Sequence, residues 1–219
     1  MKAKLKLSVA KLCEEAHHFA VRESEHDEPA IFGVTDGKAI GTYFEQKFRM
    51  YLSAKYDFLA GNSASGIDFP QLDVDMKVTS VKQPQSSCPY KSARQKIFGL
   101  GYSLLVFVYD KIDNGRLKTG RLKILHSIFV EKEKTGDFQT TTGLRKIIEN
   151  KGNMDDIVAF LNERMLPVAD IEAETIAQDL IKNPPEIGYL TISNALQWRL
   201  QYQRIINEAG KVKGIQKIC

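Results

Sequence analysis

Residues 102–110 read YSLLVFVYD, and between Ser103 and Asp110 the run has no charged or amide side chain. A strand with one wet face alternates apolar and polar residues, whereas this run does not, so it reads as a strand covered on both faces. It is far shorter than the roughly 20 apolar residues needed to span a bilayer. A chain that must cover both faces of a sheet is pushed toward a layered α/β arrangement. The 219 residues suffice for one sizeable domain with an appendage.

The flanking segments supply the layers. Residues 7–22 have a helical pattern, and residues 36–56 place Ile40, Phe44, Phe48, Tyr51 and Leu52 on one stripe behind the N-cap candidate Asp36. Residues 60–66 read as a turn, with short strands at 67–69 and 72–79, a loop at 84–89 and a basic helix at 90–101 ending on glycines. A further strand is expected at 121–133. Beyond about residue 140 the pattern turns helical, at 142–150, 154–166 and 170–183, where Pro184 and Pro185 end it. Residues 191–218 read as a helix, a Gly-Lys turn and a short strand. The expected organisation is an α/β core over 1–140 and a helical region over 141–219.

Asp68, Asp73, Asp75 and Lys77 crowd into ten residues that otherwise want to be sheet. Asp is depleted in strands. Alternation puts Leu72, Val74, Met76 and Val78 on one face and Asp73, Asp75 and Lys77 on the other. If the segment before Pro70 folds back, Asp68 reaches the same end of the sheet as Asp75. Converging carboxylates repel unless a cation lies between them, and Mg²⁺ prefers such oxygens. Glu45 lies at the margin of the helical stripe, aligned with Gly41, which lets the helix approach the sheet closely. It could bind a second metal or position the attacking water. The same alternation also describes a half-exposed strand with a solvated polar face.

The order of helix Glu45, turn Asp68, strand Asp75-Met76-Lys77 and a following buried strand resembles the PD-(D/E)xK nuclease superfamily, which includes many type II restriction endonucleases. The short run DFPQLDVDMKV is similar to the metal site of MutH-type nickases. The resemblance covers about residues 36–130, with Ile67 standing where a proline is usual. It implies a mixed sheet flanked by helices, with Asp68, Asp75 and the Met76 carbonyl as metal ligands. It further implies Lys77 as catalytic lysine, Glu45 as helix acid, and Mg²⁺ as cofactor, with Mn²⁺ able to substitute. The implied activity is hydrolysis of double-stranded DNA by a homodimer, and a repair nickase is the alternative within the class.

Lys82, Lys91, Arg94 and Lys96 follow the acidic strand and suit phosphate contacts. Residues 193–204 are rich in Asn, Gln and Arg, which read base edges. They resemble the recognition helix of a winged helix-turn-helix, with Asn194, Gln197, Arg199 and Gln201 as readers. The competing reading is a packing helix built on Leu196, Leu200 and Ile205. Net charge is +4, which permits a nucleic-acid partner without proving one. A non-catalytic DNA-binding regulator and a helical interaction module with an inert core are the readings outside the enzyme class. The three cysteines are widely separated and form no CxxC pair, so a reducing cytoplasm is expected, with no signal peptide or membrane association.

Overall fold

The computed structural model describes residues 4–59, 61, 66–89, 91–193 and 198–219. Most of the turn expected at 60–66 lies outside that set. Along the chain run β1 (Leu5–Lys6), α1 (Val9–Ser24), β2 (Asp27–Glu28), α2 (Gly37–Ser53), β3 (Tyr56–Asp57), β4 (Val74–Ser80) and β5 (Gln85–Cys88). There follow α3 (Arg94–Phe98), β6 (Ser103–Asn114), β7 (Thr119–Val130), α4 (Phe138–Glu149), α5 (Met154–Glu163) and α6 (Asp170–Lys182). The chain closes with β8 (Thr191–Ser193), β9 (Trp198–Gln201), α7 (Gln203–Glu208) and β10 (Ile215–Lys217). Two units result: Met1–Gln85 with Ser103–Val130 and Glu208–Cys219, and Ser86–Tyr102 with Glu131–Asn207.

The first unit holds a mixed sheet in the order β10-β7-β6-β4, with β2 also pairing β7. β4 runs parallel to β6, Met76 lying opposite Leu105. Parallel neighbours need a long crossover, which residues 81–102 supply. β6 and β7 form an antiparallel pair with a bulge at Val108/Tyr109. Leu105, Phe107 and Tyr109 point into a core with Phe19 of α1 and Phe44 and Phe48 of α2. The rings of Phe44 and Phe48 sit 4.8 and 5.5 Å from that of Phe107. The alternate residues Leu104, Val106 and Val108 have no exposed surface either. The apolar run is therefore buried on both faces, as its composition requires.

α2 starts where the sequence places it, with Asp36 accepting a hydrogen bond from the Lys38 amide. Gly41 faces β4, but a methyl there would meet the Val78 carbonyl only at 4.0 Å, an ordinary contact. The close approach attributed to Gly41 does not require glycine. The strand expected at 67–69 is reduced to one bridge, Phe69 to Val74, around a 3₁₀ turn at Pro70–Leu72.

The second unit packs α3 to α6 around Ile97, Leu144, Ile157, Leu161, Ile176 and Leu180. Asp137 is buried and caps α4, accepting from the Thr140 and Ile192 amides, each at 2.8 Å. α4, α5 and α6 fall on the three helices expected from the sequence. The segment 84–89 is not a loop throughout, because β5 joins β9 and β8 in a small sheet. The helix expected from residue 191 is likewise corrected: its described residues are β8, β9 and the six-residue α7. In β9, Trp198 and Leu200 are buried while Arg199 and Gln201 are exposed, a period of two. Leu196 and Leu200, four apart, had suggested a helix. Among the described residues, no helix is long and apolar enough to cross a membrane.

Candidate active site

β4 stands at the end of the strand order, so one of its edges offers backbone groups that no neighbouring strand of that sheet takes. The chain before it supplies partners. Phe69 and Val74 exchange backbone hydrogen bonds at 2.9 and 3.3 Å, and Asp73 closes the turn in the left-handed region at φ 52°. One step outward along this antiparallel pair, Asp68 comes opposite Asp75. The Met76 amide, on the outer edge of β4, donates to Asp68 Oδ2 at 2.8 Å. The tight turn anticipated from Pro70 is thus what brings the two carboxylates together.

Asp75 is 4% exposed. Burial pushes its carboxyl up to about 6; Lys77 draws it down and Asp68 pushes it further up. Lys77 Nζ lies 2.8 Å from Asp75 Oδ2. That oxygen is fully buried, and both the charge of the Lys77 ammonium and a hydrogen bond from it work against the effect of burial. Glu45 is half-buried on α2. Burial first, and then the charge of Asp68, raises it to about 7, against the opposing pull of Lys77 and Arg49. Glu45, Asp68, Asp75 and Lys77 thus act on one another in one small volume of the first unit.

Arg49 was not anticipated. It sits one turn beyond Glu45 on the same face of α2, and its guanidinium donates to Asp68 Oδ1. The i, i+4 spacing from Glu45 was the available signal.

The cluster sets three carboxylates against Lys77 and Arg49. A buried carboxylate oxygen facing Lys77 beside a second acid, and two carboxyls lifted above their ordinary values, mark a place where a further cation lowers the energy. The donors are all oxygens, which suits a hard divalent ion. Among the described residues, no group of three or more His, Cys, Asp or Glu stands arranged as a metal cage. Mg²⁺ does not require one, since it is commonly held by one or two carboxylates and keeps several waters.

The expected DNA contacts fare unevenly. Lys82, just past β4, and Lys91 are exposed. Arg94 is half-exposed, pairs with Asp179 at 2.6 Å and lies over the Phe98 ring at 4.9 Å. Lys96 is only 6% exposed, and burial lowers the pKa of its ammonium, so it does not stand on the surface as its neighbours suggested. Arg199 and Gln201 are exposed on a strand rather than on a recognition helix, while Asn194 and Gln197 lie outside the described residues.

The sequence profile described as type II restriction enzyme NspV matches residues 6–217. The type II restriction enzyme NspV of Nostoc sp. is 62% identical over 209 residues, which cover 95% of each chain. No solved structure matches the chain. With a match that runs through both units and takes in the whole acidic cluster, the chain belongs to the NspV family of type II restriction enzymes.

Proposed function

We propose that the chain performs its family's endonuclease chemistry at the edge of β4, in a site of the PD-(D/E)xK kind, on double-stranded DNA of a specific short sequence. One observation carries the assignment: Asp68 and Asp75 face each other across a tight turn, with a buried Asp75 oxygen 2.8 Å from the Lys77 ammonium. Asp68 and Asp75 would hold Mg²⁺, or Mn²⁺ in its place. The Met76 carbonyl joins them, because a strand residue presents its N–H and C=O to the same edge. When bound, the ion supplies Lewis-acid stabilisation of the charge that develops on the phosphate.

The protein's own groups do the rest. Lys77 holds a positive charge against the phosphate oxygens where negative charge grows. Glu45, with a pKa near neutrality, is suited to accept a proton at its carboxylate from an attacking water. Lys82, Lys91 and Arg94 position the backbone, and Arg199 and Gln201 present base-reading side chains from β9, as strands of other DNA-binding proteins do. One site cuts one strand, so cutting both strands of a palindrome calls for a homodimer. The reaction belongs in the cytoplasm, where Cys13, Cys88 and Cys219, free in the structure, stay reduced.

Asp75→Ala and Lys77→Ala should each abolish plasmid cleavage while DNA binding in a gel-shift assay persists. EDTA should do the same to the wild type, with recovery on adding Mg²⁺ or Mn²⁺. Near wild-type cutting by either variant would refute the assignment.

A further inference from the structure

Asp68 spends both carboxylate oxygens on the protein: Oδ2 on the Met76 amide and Oδ1 on Arg49. The two donors differ in kind. The amide is fixed in the edge of β4 and cannot leave without disturbing the strand. The guanidinium rides on a flexible side chain that is 30% exposed. A divalent ion that takes up Asp68 therefore competes with Arg49 for Oδ1, not with the amide. Arg49 is also only half used. Its Nε is buried and lacks any hydrogen-bond partner among the described residues. Nε and a terminal nitrogen form the planar fork that grips two oxygens of a phosphate or carboxylate. One prong rests on Asp68 and the other, among the described residues, meets no acceptor. A buried donor left unpaired is costly unless something arrives to meet it.

We propose that Arg49 is a phosphate-binding residue of this site, parked on Asp68, which it yields to the divalent ion as its fork turns to a non-bridging oxygen of the scissile phosphodiester. This rests on the metal-site reading given under the proposed function, and it adds a residue and an order of exchange to that reading. Arg49 then has two measurable effects. Its charge holds down the affinity of Asp68 for metal, and its fork speeds the chemical step.

Both are read on the intact protein. Mn²⁺ binding without DNA, followed by electron paramagnetic resonance, should tighten about three- to tenfold in Arg49→Ala as the competing charge is removed. Single-turnover cleavage at saturating Mg²⁺ should fall about 10²-fold, the usual cost of losing one preorganised donor to a transition-state oxygen. Arg49→Lys keeps the charge and loses the fork, so its Mn²⁺ affinity should stay near wild type while cleavage still falls. Unchanged or weaker Mn²⁺ binding by Arg49→Ala overturns the proposal, as does a loss of cleavage smaller than about tenfold. If Arg49→Ala does not fold, Arg49→Lys decides, and near wild-type cleavage by it overturns the role of the fork. Asp75→Ala separates the layers. If it leaves Mn²⁺ binding intact, the metal-site reading itself fails. If it abolishes binding while Arg49→Ala changes nothing, only the role of Arg49 fails.

Discussion

Glu15 and Asp75 are both buried carboxylates, and they have opposite fates. Glu15, on α1, accepts from Tyr51 at 2.6 Å, Lys55 at 2.7 Å and Tyr56 at 2.9 Å. Burial pushes its carboxyl up, but these three donors outweigh burial and hold it below the ordinary value. Asp75 has Lys77 to set against burial and the neighbouring Asp68, and it stays high. The first acid is held ionised by its donors; for the second, burial and a like charge win. Because the folded-state pKa of Glu15 is depressed, its ionised form stabilises the fold fully above the unfolded-state value, and that contribution fades as pH falls through the folded-state value. Glu15→Gln should thus lose about 1–3 kcal/mol at neutral pH, measured by urea denaturation. The gap to wild type should narrow as pH drops below the ordinary carboxylate value of 4.5. A gap that stays constant down to the acid limit would show that Glu15 acts through packing alone.

At the scale of elements, the turn before β4 does the positioning. Asp73 adopts φ 52° without being glycine, which Asp tolerates better than branched residues do. Its carbonyl accepts from the Ser103 amide at 2.8 Å, tying the turn to β6. Asp73→Gly should leave stability within about 1 kcal/mol of wild type, whereas Asp73→Val should cost about 1–2 kcal/mol. The valine variant should also cut more slowly, since the register that sets Asp68 opposite Asp75 depends on this turn. Denaturation and cleavage rates measured on the same preparations test both points. Equal activity in the two variants would mean that the turn does not govern the site. Elements also show where local patterning misleads. β9 carries Leu200 four residues after Leu196, the spacing of a helix face. Its burial instead follows Trp198 and Leu200, the spacing of a strand, and in so short a stretch only the partner strand β8 decides between the two.

For the whole molecule, the number of strands cut reports the number of sites that act together. A homodimer acting on supercoiled plasmid with one recognition sequence should yield linear DNA with little open circle. Sedimentation of the protein should show twice the mass of one 219-residue chain. Persistent open circle with a monomeric protein would point to a nickase instead.

Much of the acidic cluster was legible along the chain because its parts are neighbours there. Asp68, Asp75, Met76 and Lys77 span ten residues, so a single turn and the alternation of one strand suffice to gather them. The uninterrupted apolar run of β6 likewise announced a strand covered on both faces, since no other placement removes that surface from water. Contacts between distant segments were not legible. Nothing local says that Arg49 grips Asp68, that Lys96 turns inward, or that Glu45 rests near neutrality. Those outcomes depend on which surfaces are stripped of water and which charges are left facing each other, and only the packed chain settles that.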